Sequence, residues 1–267
     1  MDSPRWRGSA CVAVALVLLA GGAMPAPARG GDVPAAALER RVGHAFRLDT
    51  GQPVYREIHE PVVENGRLAG DRVTYRAPDG ALIARKRIDF SHHPLAPSFR
   101  LEDFRTGYVE GLERGADGVP VLFHREGTGA TLRRASIPDS PDLVADAGFD
   151  LLIYRRIEAL AAGRRLTFPF AAPSRLDTVA VRLRPLGRRT VMGEPALLIR
   201  MEADNVIVRW LADAVDVAYH AHTGALLRYE GVSNIPDPER DGNYRVRIDF
   251  PPPGAGPQPP PPERAGG

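Results

Sequence analysis

The chain has almost no cysteine and almost no lysine. Cys11 is the single cysteine of 267 residues, so no disulfide can form within the chain and packing alone must hold the fold. Lys86 is the sole lysine beside many arginines, which reads as codon composition rather than a binding need. A formal charge of +2 lacks the basic excess that phosphate-backbone binding leaves in composition, so nucleic acid is not an expected partner. Phosphate-binding glycine loops, nucleotide fingerprints, His-Glu-x-x-His and the Gly-x-Ser-x-Gly elbow are all missing. Ser91, Ser136, Ser174 and Ser233 have no context that marks a nucleophile. No cofactor is expected, and no period of about 20 to 50 residues signals a repeat architecture.

What is present begins with an export pattern. Arg5 and Arg7 precede an apolar run from Ser9 to Ala23, and Pro25-Ala26-Pro27-Ala28 follows with small residues. That is the order of a secretory signal over residues 1–28, cleaved after Ala28. The run is shorter than the roughly 20 residues that cross hydrocarbon, so the mature chain is not expected to span a membrane. Cys11 opens the run instead of closing it, which argues against lipidation. Export without disulfides, in a chain long enough for a real core, suits the periplasm of a bacterial envelope. Residues 29–37 read as a flexible leader and 251–267 as a disordered Pro-rich tail. Residues 38–250 between them are expected to form a single β-rich domain.

Within that domain the dominant signal has period two. Val73 and Tyr75 alternate with Arg72, Thr74 and Arg76; Val179, Val181 and Leu183 with Arg182 and Arg184; Val246, Ile248 and Phe250 with Arg245, Arg247 and Asp249. One face is apolar and the other arginine-rich, the pattern of antiparallel sheet with one packed and one wet surface. Asn65-Gly66 and Pro78-Asp79-Gly80 punctuate a meander, and Asp117-Gly118, Thr223-Gly224 and Asp241-Gly242 mark further hairpins. A turn or bulge near Gly193-Glu194-Pro195 separates two short strands.

One segment breaks this rhythm. Phe149, Leu152, Ile153, Ile157 and Leu160 recur at helical spacing and Gly163 terminates them, which predicts an amphipathic helix over about 149–162. Ser140 and Pro141 suit an earlier helix start, divided from the main helix by Gly148. Val206–Leu211, with Trp210, is strand or helix. Ten or more antiparallel strands and one helix define the expected fold: mainly β (α+β), a large curved antiparallel sheet or half-barrel with the helix packed on it.

Candidate chemistry is sparse. His220 and His222 project from one strand face and are weak metal candidates together with His59, His124 or an acid, with ordinary loop histidines as the plainer reading. His92, His93, Asp103 and Tyr108 lie in a stretch dense in ionisable groups, Asp89–Gly111. This is either a loop entering a pocket, with those four residues as weak catalytic candidates, or a buried salt-bridge corner, the favoured reading. Asp139, Asp142, Asp146 and Asp150 suit helix capping better than a cation site. Lys86 shares the parity of Leu82, Ala84, Ile88 and Phe90. Either a bulge turns it outward, its stem snorkels, or the apolar face lines a cavity that takes a cation.

The Pro78-Asp79-Gly80 meander with Ile88-Asp89-Phe90, the Arg105-x-Gly107-Tyr108-x-Glu110-Gly111 stretch, Asp146-Ala147-Gly148-Phe149-Asp150 and the run Leu227–Ile235 resemble a group of uncharacterised exported proteins of Gram-negative bacteria. The resemblance implies compartment and no mechanism. More distantly, the Thr223-Gly224 hairpin and closing strand are similar to the curved sheet of periplasmic lipoprotein carriers. The expected function is non-enzymatic binding or carriage of a hydrophobic or amphiphilic ligand, a lipid or acyl chain, by Lys86, Phe90, Phe149, Ile153 and Ile157. The alternatives are an envelope hydrolase centred on His92 and His93, and an assembly factor that binds an envelope protein.

Overall fold

The computed structural model describes residues 33, 35–204 and 214–252. The signal, most of the leader, the Val206–Leu211 stretch and the tail beyond residue 252 lie outside the described residues. A 3-10 turn at Ala35–Leu38 precedes the first strand and packs on the second and third.

Fourteen antiparallel strands form one continuous sheet. Strand β1 (Arg41–Arg47) lies in its middle. From there β2 (Pro53–Glu64), β3 (Arg67–Arg76), β4 (Leu82–Asp89), β5 (Ser98–Asp103), β6 (Val109–Arg114), β7 (Pro120–Arg125) and β8 (Arg133–Ser136) run outward to one edge. The chain then crosses through residues 137–147 and helix α1 (Gly148–Ala161) to the other edge. It returns through β9 (Leu166–Ala172), β10 (Asp177–Val191), β11 (Glu194–Ala203), β12 (Val215–His220), β13 (Leu226–Pro236) and β14 (Asn243–Asp249), which pairs with β1. Every connection within each half joins neighbours, as turn-punctuated alternation requires.

No ladder joins β8 to β9, so the barrel is not closed. The edge of β9 is instead covered by the crossing segment, where Val144 N donates to Pro169 O and Ala171 N donates to Val144 O. This blunts an edge that would otherwise offer unpaired backbone groups. A 3-10 turn at Pro173–Arg175 carries the chain against β6 and β7, bringing the two ends of the sheet together.

The turns follow local chemistry. Asn65 and Gly66 both have positive φ (51° and 73°), the geometry of a two-residue turn whose twist matches a hairpin. Met192 and Gly193 do the same between β10 and β11, and these are long strands, not the short pair expected there. The Asp89–Gly111 stretch is also more regular than its composition suggests. Its middle is strand β5, with Phe99, Leu101 and Asp103 on the inner face.

Apolar residues collect in two clusters on the concave side. Tyr55, Tyr75, Ile88, Phe99, Leu101, Leu112 and Ile248 belong to the first. Leu152, Ile153 and Leu160 of α1 join Phe168, Leu183, Leu197, Ile199 and Val217 in the second, each side chain contributing about 1.5–3 kcal/mol through burial.

The helix begins at Gly148, not near Ser140. Ser140 Oγ accepts from Asp142 N in a local turn, and Ala147 at the N-cap makes no side-chain capping bond. Asp146, at φ 41°, turns the chain into the helix instead. At the other end Gly163 at φ 84° closes the last turn, with Arg164 N donating to Ala159 O. Gly148 is fixed by a close approach: a Cβ there would lie 1.9 Å from Leu95 O.

Candidate functional site

Between the two apolar clusters lies a cavity of about 450 Å³. Its floor follows from register. Arg41, His59, Val73, Lys86, Leu101, Glu110 and His124 are successive partners across β1 to β7. Paired residues share a face, so this row points inward as a unit. Beside it run Tyr55 and Glu57 of β2 and Tyr75 of β3; α1 and the segment before it cover the row with Asp146, Phe149 and Asp150.

The polar groups of this interior form linked pairs. Lys86 Nζ lies 2.9 Å from both carboxylate oxygens of Asp146, and the two side chains are only 11% and 10% exposed. Burial pushes the lysine down, but the Asp146 charge outweighs it and holds the ammonium well above its ordinary range. The aspartate that does this has left-handed backbone, which costs a non-glycine residue roughly 1–3 kcal/mol. His59 sits between two acids, its Nδ1 2.8 Å from Asp71 and its Nε2 3.3 Å from Glu57. Burial alone would raise Asp71, but the His59 hydrogen bond and the nearby Arg41 and Lys86 charges bring it below the usual carboxylate value. Arg41 reaches Asp150 at 3.7 Å, and Asp150 also accepts a hydrogen bond from the Tyr219 hydroxyl.

Glu110 is different. It is buried, and the Tyr108 hydroxyl donates to its Oε2 at 2.7 Å. No cation forms an ion pair with it among the described residues. Burial pushes its pKa up to about 7, against hydrogen bonds from Tyr108 and Asn234 that pull it down. Tyr55 is the second unusual group: it is 2% exposed, and its hydroxyl has no hydrogen-bond partner of normal geometry among the described residues.

A second cavity, of about 330 Å³, adjoins the first across Arg41, Ala147, Asp150 and Leu226, which line both. Its outer wall includes Phe90, Leu68 and Pro94.

Of the residues singled out from sequence, Lys86 and Phe149 line the larger cavity and Phe90 the smaller one. Ile153 and Ile157 pack into the core beneath the helix and line neither. Tyr108 lines the larger cavity, while Asp103, His92 and His93 stand elsewhere with partners of their own. Asp103 accepts from the backbone of Arg105 and Thr106 and pairs with the Arg105 guanidinium at 2.6 Å. His92 is exposed, and His93 Nδ1 accepts from Ala96 N at 2.8 Å. His220 ends β12 and His222 lies in the turn, their rings 5.8 Å apart. His220 Nδ1 accepts from the backbone of His222 and Thr223, and its Nε2 faces Glu194 at 3.3 Å. No group of three metal-ligating side chains is assembled among the described residues. The aspartate series does not cap the helix by side chain: Asp139 pairs with Arg114 and Asp146 with Lys86.

Sequence reading passed over Glu57 and Asp71 as site residues, named His59 only as a possible further metal ligand beside His220 and His222, and saw Glu110 only as part of a dense stretch. The available signal was parity: Tyr55, Glu57 and His59 alternate with Arg56 and Ile58, and Tyr108, Glu110 and Leu112 with Val109 and Gly111.

No protein-family model matches the chain, and no curated protein does. Among solved structures it is similar to a beta-barrel-like protein of a domain of unknown function, DUF1849, from Brucella abortus. That likeness has 9% identity and a TM-score of 0.46, and it covers 79% of this chain and 94% of the other.

Proposed function

We propose that this protein is exported to the bacterial envelope, where it binds an amphiphilic small molecule in the cavity between sheet and helix and acts as a carrier, not a catalyst. The observation that carries the reading is the mixed lining of the 450 Å³ space. Its volume falls within the range of about 300–1,000 Å³ common to small-molecule sites. Tyr75, Phe99, Phe149, Phe170 and Phe250 supply apolar wall, while Lys86, Asp146 and Glu110 supply a few convergent polar groups. A ligand with an apolar body and one polar end matches such a lining. The N-terminal pattern of residues 1–28 supports the compartment.

The test is native mass spectrometry of the protein purified from the envelope fraction, with lipid extraction. It is paired with calorimetric titration of the purified protein with decanol, decanoate and decylammonium. A co-purifying amphiphile, or saturable one-to-one binding of any of the three probes, is the expected result. A protein that carries no bound mass and takes up none of the probes overturns the reading.

A further inference from the structure

The charge balance of the cavity narrows the ligand. Four carboxyl groups line it, Glu57, Glu110, Asp146 and Asp150, against the two permanent cations Arg41 and Lys86. Counting His59 as a cation changes nothing, because Asp71 stands on its other side at 2.8 Å. Lys86 is held by both oxygens of Asp146, while Arg41 faces Asp150 at 3.7 Å and keeps a buried Nε–H without a hydrogen-bond partner among the described residues. The excess is negative, and it is enclosed by aromatic rings, whose faces attract cations.

Two observations locate where a cation would sit. Glu110 is buried in the inward row between Leu101 and His124, with hydrogen bonds from Tyr108 and Asn234 and no cationic partner among the described residues. Tyr55, enclosed and lining the same cavity, has a hydroxyl that faces Ser233 but makes no hydrogen bond of normal geometry among the described residues. A buried hydroxyl left unpaired costs free energy in the empty protein, and a bound N–H donor would recover it. The groups that face Glu110 are Tyr108 from its own strand, Lys86 from β4, His124 from β7, Asp146 from the crossing segment and Asn234 from β13. Lys86 is already neutralised, so a further positive charge near Glu110 would meet an uncompensated acid.

We infer that the cavity selects a primary ammonium carried on an apolar chain, with Glu110 as the counter-ion and Tyr55 as a hydrogen-bond acceptor. This rests on the amphiphile-binding reading above and adds the sign of the polar end. A quaternary ammonium would satisfy the charge but could donate nothing to Tyr55. A carboxylate would meet repulsion from Glu110 and find Lys86 already held by Asp146. Burial keeps Glu110 partly protonated near pH 7, so the arriving ammonium displaces a proton from it into solvent and the charge of the pocket is conserved.

The experiment is calorimetric titration with decylammonium, decyltrimethylammonium, decanoate, decanol and dihexanoylphosphatidylethanolamine at pH 7, each in two buffers of different ionisation enthalpy. Decylammonium is expected to bind at least about tenfold more tightly than decanoate and decyltrimethylammonium, with release of a fraction of a proton. Whichever of decylammonium and the phosphatidylethanolamine binds tighter identifies a free amine or an aminolipid as the source of the ammonium. Glu110→Gln abolishes the proton release and weakens decylammonium about tenfold while leaving decanol unchanged. Tyr55→Phe removes only an unpaired hydroxyl, so it folds at least as well as the parent and still binds decylammonium several-fold more weakly. Decanoate binding equal to or tighter than decylammonium overturns the inference while leaving amphiphile binding intact. So does undiminished decylammonium binding by Tyr55→Phe. Failure of every probe overturns the parent reading.

Discussion

Replacing Lys86 with methionine isolates the energetics of the interior in one substitution. Methionine keeps the apolar stem and removes the charge, so the ammonium that lies 2.9 Å from both Asp146 oxygens is lost and nothing else need move. Asp146 is then a carboxylate only 10% exposed on its side chain, without a cation, and in the electrostatic reach of Glu110. Breaking a buried pair on one side typically costs about 3–5 kcal/mol. For a domain of this size each kcal/mol moves Tm by about 2–4 °C, so Lys86→Met lowers Tm by roughly 6–20 °C at pH 7. Asp146→Asn costs a similar amount by stranding the lysine, because asparagine tolerates the same left-handed backbone and adds no strain of its own.

The double variant decides the matter. With neither charge present there is nothing to strand, and methionine with asparagine should recover stability to within about 1–2 kcal/mol of the parent. Urea unfolding followed by far-UV circular dichroism gives all four corners of the cycle. A loss below about 1 kcal/mol in Lys86→Met, or a double variant as unstable as the two singles added, would refute the claim that this pair is desolvated and mutually dependent.

Three further outcomes follow from other parts of the interior. Glu110 is held above its ordinary pKa of 4.5, at about 7; its contribution to stability is complete below pH 4.5 and is lost as pH rises through 7. Glu110→Gln, which keeps the Tyr108 hydrogen bond, should therefore match the parent near pH 4 and exceed it at pH 8 by on the order of 3 kcal/mol, read as Tm against pH. His59→Leu leaves Asp71 and Glu57 facing an apolar side chain and should cost about 2–4 kcal/mol at pH 7, with the loss reduced near pH 4 in the same assay. Gly148→Ala drives a methyl against Leu95 O, displacing the helix start at about 1–3 kcal/mol. Because that start carries Phe149 and Asp150, probe binding should weaken with it, measured by the same titrations.

The sheet was legible because its physics is local. Alternation in Arg72–Arg76 and Val179–Arg184 and the turn residues Asn65-Gly66 and Asp117-Gly118 dictate strands and hairpins without reference to the rest of the chain. Strand β1 was not, since Gly43 and Ala45 supply its inner face and a stripe of small residues carries little hydrophobic signal. Gly43 is required there by crowding: a Cβ would come within 2.8 Å of Glu57, Ile248 and Phe250. Strand β5 was hidden behind Pro94 and Pro97 and by Asp103, an acid on the buried parity. The helix body was visible in its apolar stripe, but its start was not, because Asp146 is committed to a lysine 60 positions earlier and no helical rule contains that pairing. The site was the least legible part. Its polar residues occupy inward positions where alternation predicts apolar ones, so each looks like a flaw in a strand until register aligns them in one row.

That alignment has a consequence for stability. An interior meant only to hold the sheet would be filled with aliphatic side chains, which pack without desolvating charge. Here the departures from local rule are concentrated at one place. Lys86 and Glu110 lie on inward parity, Asp146 has strained backbone, the Tyr55 hydroxyl makes no hydrogen bond of normal geometry among the described residues, and Gly148 is pressed on a carbonyl at the helix start. Two large apolar clusters on either side offset the expense. Such concentration marks a region shaped by something other than folding, and it makes a joint prediction. The variant with methionine at 86 and asparagine at 146 should lie within about 1–2 kcal/mol of the parent in stability, yet its cavity loses the pair that orders its polar end. If that variant bound decylammonium with the parent's affinity and charge selectivity, the buried pair would have no part in recognition. A stable variant with weakened or indiscriminate binding would show that the charges are retained for the ligand at the expense of the fold.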